Sequence, residues 1–206
     1  MIFIDDLGFE LFTLPLISAT LIYTILRAYY NSRSNVTEIR SYLLDGVIPV
    51  AGLGALVLVM ALFNEFTWTL PGSYNILFYD VYALLGLSLL LFALAIKFGY
   101  KLQLVGFFAL LSGLITIYYG IVGYRLGMTE EPPALLGLYV LYGLTGVFSY
   151  PMTLTIDRVT VAKVAGKDPK IWSWAIYLFV IFALLAGLLG AYIAIFTIPA
   201  HLAHAP

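Results

Sequence analysis

AIYLFVIFALLAGLLGAYIAIF, residues 175–196, decides the fold. No charged side chain interrupts it. At about 1.5 Å of rise per residue, a helix of this length crosses the roughly 30 Å hydrocarbon core of a bilayer. Working outward from it along the chain, five further stretches share its character. The six run over about 10–30, 43–63, 79–97, 102–124, 134–155 and 172–198, and nearly all the charge falls between them. The reading is an all-α integral membrane bundle of six transmembrane helices forming a single domain, residues 1–206.

Composition points the same way. Apolar residues make up 63% of the 206 positions and charged residues 10%, where a soluble domain carries roughly 25% charged residues. The net charge of −1 and the lack of a basic run give nucleic acid no footing. The absence of cysteine removes disulfides, thiolate metal sites, iron–sulfur clusters and cysteine nucleophiles. The two histidines, His201 and His204, lie at the C-terminus, so no predicted helix carries a histidine to ligate haem. No cofactor is expected. The opening MIFIDDLGFE has acids where a signal peptide has cations, so the first helix reads as retained.

Lysine and arginine set the orientation. Arg27, Arg33, Arg40, Lys97, Lys101, Arg158, Lys163, Lys167 and Lys170 belong to the first, third and fifth loops and their helix ends; only Arg125 falls on the other side. The expected topology puts both termini and the second and fourth loops outside the cytoplasm. Asp5, Asp6, Glu10, Glu65, Asp80, Glu130 and Glu131 then share the outer side.

Helices in lipid associate by close van der Waals approach, which small residues permit. In the fourth span, Gly106, Gly113, Gly120 and Gly127 recur every seven residues, with Ala109, Thr116 and Gly123 three after the first three. This is one seam of small residues, expected against a neighbour at the centre of the bundle. The sixth span offers Ala183, Gly187, Gly190 and Ala194 as a partner face. The seam reads as packing, or as room cleared for a lipid, quinone or substrate chain. Phe108-Ala-Leu-Leu-Ser-Gly-Leu echoes Phe182-Ala-Leu-Leu-Ala-Gly-Leu, and Ala83-Leu-Leu-Gly-Leu echoes Ala134-Leu-Leu-Gly-Leu, in the order a duplicated hairpin requires.

Ionisable groups inside a membrane are functional candidates because the bilayer makes them costly. Asp45 enters the second span from the cytoplasmic side, within reach of Arg27 or Arg40, as an interfacial ion pair or a proton or cation site. Glu65, Asp80 and Arg125 end helices on the outer side; Arg125 is expected to pair with one of these acids or with Glu130 or Glu131. The alternative is an anionic vestibule. No acid is expected at mid-depth, which leaves tyrosines such as Tyr118, Tyr119, Tyr139, Tyr142 and Tyr150 as the deep polar groups. The second loop, Asn64 to Asp80, is apolar and aromatic around a Pro-Gly turn. Trp68, Tyr74, Asn75 and Tyr79 there suit docking at the headgroup layer, a lid or a partner contact. His201 and His204 stand one turn apart near Asp5 and Asp6, as a frayed tail or a metal pair, and no metal site is expected.

Enzyme motifs are missing: HExxH, the P-loop, GxGxxG and GxSxG are all absent. Rhomboid proteases also have six spans, but Ser112 follows Leu110-Leu111 rather than the Gly-x of their signature.

The run Thr67-Trp-Thr-Leu-Pro-Gly-Ser-Tyr-Asn-Ile-Leu-Phe-Tyr-Asp80, with Gly113-Leu-Ile-Thr-Ile-Tyr-Tyr-Gly120 and Phe148-Ser-Tyr-Pro-Met152, resembles a family of archaeal multi-pass membrane proteins grouped as a domain of unknown function. The resemblance spans the second to fifth helices. It implies an archaeal plasma membrane, supplies no activity, and makes Trp68, Asn75 and Asp80 the first residues to mutate. The chain is expected to be a non-catalytic accessory or anchoring subunit of a larger membrane complex, with a respiratory complex as one setting. Its partners would be lipid and other subunits or further copies of itself. The alternatives are a small transporter or channel, and a lipid-modifying enzyme using Asp45 or Asp80.

Overall fold

The computed structural model describes residues 6–164 and 170–203. Seven α-helices follow one another: α1 Asp6–Asn31, a short α2 Ile39–Leu43, α3 Val47–Thr67, α4 Tyr74–Lys97, α5 Gln103–Arg125, α6 Pro132–Val164 and α7 Ser173–Ala203. All except α2 are long and apolar enough to cross a membrane, so six spans are present. No strand occurs among the described residues.

The helix ends follow from local chemistry. Before α2, Asn35 accepts the Thr37 amide at 3.3 Å and so caps the 3-10 turn Val36–Glu38. Gly127, at φ +60, ends α5: its amide bonds Tyr124 O and the Met128 amide bonds Gly123 O, the paired closure that needs a left-handed residue. Gly127 was expected in the packing seam, but a Cβ there would meet nothing within 4 Å. It is a terminator.

The spans form a closed ring in chain order: α1, α3, α4, α5, α6, α7 and back to α1. The α5–α6, α3–α4 and α1–α7 faces are the most extensive; α4 meets α5 sparingly and α1 meets α3 least. Glycine explains the tight faces. A Cβ on Gly113 would overlap the Gly143 carbonyl, and one on Gly146 would stand 2.7 Å from Ala109 O. Gly106 lies against Thr153, Gly120 against Tyr139, and Gly123 against Leu135 and Leu77.

The seam of α5 therefore packs on α6. The small face of α7 goes elsewhere: Gly187 lies over Ser18 and Gly190 near Leu14, both on α1. Nor is α5 central. It is the least buried span and α1 the most, because only the glycine side of α5 meets protein. The tightest pairs, α3–α4 and α5–α6, are offset by one helix from the α4–α5 and α6–α7 hairpins whose sequences echo each other.

Two boundaries moved with consequences. The expected loop 64–80 shrinks to 68–73 because α3 runs on to Thr67 and α4 starts at Tyr74. The fifth span, expected to stop near 155, continues to Val164 and carries Asp157 inside the helix. For orientation within the bundle, the terminal end denotes the end where α1 begins, and the basic end the opposite one.

Candidate functional site

α1 brings Glu10 into the bundle one turn after the helix begins. The residue is only 6% exposed, and its Oε2 is buried without a hydrogen-bond partner. Sequence reasoning placed it on the outer surface with Asp5 and Asp6. Around it stand Tyr82 from α4 and Tyr139 from α6, both within its electrostatic reach. Neither phenol donates to it. Tyr139 donates to Leu77 O at 2.8 Å. Thr13 spends its proton on Glu10 O, so in the 2.5 Å contact between Thr13 Oγ1 and Tyr82 the phenol must be the donor. A buried polar atom without a partner costs about 1–3 kcal/mol, so the presence of Glu10 here asks for an explanation.

Glu10 lines a part-enclosed cavity of about 140 Å³ between α1, α4, α5 and α6, with Phe179 and Ala183 of α7 completing the wall. Along α1 the lining runs from Leu7 to Ile25, about 27 Å. Spread over that length, so small a volume makes the space narrow, a slot rather than a chamber. The lining is mostly apolar and, among the described residues, contains no Lys, Arg or His.

Its hydroxyls face the cavity as acceptors. Ser88, Ser112, Thr116, Thr145, Ser149 and Thr153 all line it, and each donates to a carbonyl of its own helix three or four residues back. Ser18 and Tyr142 share one hydrogen bond at 3.0 Å across α1 and α6, which uses one of their two hydroxyl protons.

A second cluster occupies the terminal end, outside this cavity. Asp80 Oδ2 accepts the Tyr119 hydroxyl at 2.5 Å, and the Glu65 carboxyl of α3, its Oε1 buried without a hydrogen-bond partner, lies within electrostatic reach of Asp80 on α4. Two carboxylates at that range need one proton or one cation between them. Arg125 does not provide it: the side chain is exposed and makes no ion pair among the described residues, neither with these acids nor with Glu130 or Glu131.

The loop residues divide by burial. Asn64 and Asn75 are fully buried and tie the turn together. Asn75 Nδ2 donates to Asn64 O at 3.1 Å, Asn75 Oδ1 accepts the Leu70 amide at 3.2 Å, and Thr69 donates to Asn64 Oδ1 at 3.1 Å. Trp68 is half exposed at φ 51, the left-handed residue that closes α3. Tyr74 opens α4 partly exposed, and Tyr79 is fully buried. The segment is a pinned turn.

At the basic end, Asp45 pairs with Arg27 at 2.9 Å, both about half exposed, beside an open groove of about 370 Å³ between α1 and α3. Arg40 goes elsewhere. It donates to Ala95 O at 2.8 Å and to Tyr100 O, and lies 3.7 Å from Asp157 Oδ1. Asp157 Oδ2 accepts the Gln103 amide at 2.8 Å, capping α5 from α6. These contacts join α2, α4, α5 and α6.

Asp5 and His204, and the side chains of Asp6 and His201, lie outside the described residues. Among the described residues no group of three or more His, Cys, Asp or Glu gathers as metal ligands would.

Ring, cavity and buried carboxylate define a six-span helical membrane protein with an internal cavity. The chain belongs to the family described as "Protein of unknown function (DUF981)", whose match covers residues 1–204. No curated protein and no solved structure matches it.

Proposed function

We propose that this protein is a small transporter that admits a slender, largely apolar solute into the cavity between α1, α4, α5 and α6. The observation that carries the reading is Glu10, a buried and unpartnered carboxyl on the wall of that cavity. Intramembrane ionisable groups mark ligand and ion pathways, and transporters hold their substrates between helices inside the bilayer. The sparse α4–α5 contact, where both helices line the cavity, gives it a side on which to open. We place the protein in an archaeal plasma membrane with both termini outside, on the support of the basic residues gathered at the opposite end. The cavity is then loaded from the outer half of the bilayer, where Glu10 sits.

An anchoring subunit is the second reading, and α5 favours it. Its outward face, with Leu104, Phe107, Leu114 and Tyr118 exposed, accepts lipid, another subunit or a second copy of the chain. Purification in mild detergent followed by native mass spectrometry separates the two. The transporter reading expects a chain free of other polypeptides that retains low-mass, non-polypeptide density. Stoichiometric foreign subunits with an empty cavity would overturn it.

A further inference from the structure

We infer that the ligand of the central cavity is a lipophilic organic cation, an alkyl chain bearing an ammonium group, with Glu10 as its counter-charge. The inference rests on the reading of the cavity as a binding site and adds the chemistry of what it takes.

Three features on independent side chains lead there. The first is charge. Among the described residues Glu10 is the one Asp or Glu on the wall, and none of those lining it is a Lys, Arg or His that could neutralise it. Arg125, the described cation at the terminal end, is exposed and makes no ion pair.

The second is hydrogen-bond polarity. The lining hydroxyls whose protons are assigned spend them on backbone carbonyls or, for Tyr82, on Thr13. The wall therefore offers lone pairs and no free hydroxyl donor from these groups. A guest that only accepts hydrogen bonds, such as a carbonyl or a phosphate, finds there just the one hydroxyl proton that the Ser18–Tyr142 pair leaves over. An ammonium brings up to three donors and no acceptor, which is the complement.

The third is the aromatic setting. Tyr82 and Tyr139 flank Glu10, and Phe78 lines the same end. Ring faces attract cations, most strongly when water is excluded.

Shape supplies the rest. About 140 Å³ drawn out over about 27 Å is a long, narrow space, which suits an unbranched chain rather than a fused ring system. The headgroup sits at Glu10 and the chain runs toward Met152 and Phe92, through apolar wall that gives it a lipid-like environment. The acceptor lone pairs of Ser112, Thr116 and Thr145 lie along that route.

The test uses the full chain in nanodiscs of zwitterionic lipid, with radiolabelled n-decylammonium and n-decanol as a pair matched in length and differing in charge. Equilibrium binding is measured for wild type and for Glu10→Gln, with empty nanodiscs subtracted. The expected result is saturable binding of decylammonium at least about tenfold tighter than decanol. Glu10→Gln should lose that preference and keep decanol binding. Equal affinity for the two ligands in wild type would overturn the cation assignment while leaving the cavity as a binding site. No saturable binding of either ligand would overturn the cavity reading and this inference with it. Should Glu10→Gln fail to fold, the wild-type ratio alone decides.

Discussion

Replacing Glu10 with methionine should make the protein more stable while removing its ligand preference. Glu10 is 6% exposed, its Oε2 has no partner, and no cation among the described residues lines the cavity it faces. A buried polar group without a partner costs about 1–3 kcal/mol, and methionine has nearly the same length with no polar atom to leave unpaired. The bond from Thr13 to Glu10 uses the backbone carbonyl and survives the exchange. The expected gain is therefore about 1–3 kcal/mol. At about 2–4 °C per kcal/mol for a chain of this size, it raises Tm by about 2–12 °C. Equilibrium unfolding in mixed micelles, followed by circular dichroism as the SDS fraction rises, reads the difference directly. A loss of more than about 1 kcal/mol would refute the reasoning, because it would mean that Glu10 is held by partners and serves structure. A residue retained against stability is the signature of a working site.

Four further outcomes test the architecture. Gly146→Leu should cost about 1–3 kcal/mol in the same unfolding assay, since even its Cβ stands 2.7 Å from Ala109 O, whereas Gly52→Ala, with open space around it, should cost nothing. Asn75→Ala leaves the Leu70 amide unbonded and should lose about 1–3 kcal/mol, with faster amide exchange confined to residues 68–73. Arg40→Gln should cost about 3–5 kcal/mol because Asp157 is buried, while Arg27→Gln, whose partner Asp45 is half exposed, should change stability by less than about 1 kcal/mol. The chain has no cysteine, so single cysteines at Gly72 and Gly99 can be labelled with an impermeant maleimide on intact cells; Gly72 should react and Gly99 should not, and the reverse pattern would invert the topology.

What was legible in the sequence was whatever lipid enforces locally. A span needs a run of about 20 apolar residues, and any chain crossing a bilayer must show it. Six were readable, and the heptad of Gly106, Gly113 and Gly120 announced a close helix contact. The partner of that contact was not readable from composition. Both α6, with Gly143 and Gly146, and α7, with Gly187 and Gly190, carry small residues. The six-residue connection 126–131 was the better guide, because a short link makes sequential helices antiparallel neighbours.

Charges misled for a related reason. Glu10 was placed on the outer side with Asp5 and Asp6, at the start of the first span, and the fifth span was ended near 155, short of Asp157. The rule that a charge against lipid is expensive governs only the faces that meet lipid, and both residues face protein. The signal that separates the two cases is periodic. Glu10, Thr13 and Ser18 keep to one side of a helix, so α1 carries a polar stripe through its first half, and a polar stripe on a membrane helix must point inward. Asp157 follows Thr153 by four residues, on the α6 face that also presents Thr153 to Gly106. In this fold the inward stripe and the glycine seam meet at the same cavity. α5 contributes Gly106 and Gly113 to its wall, so the residues that let the helices close also leave a narrow space along the seam, and the stripe of α1 sets a single carboxyl at the mouth of that space.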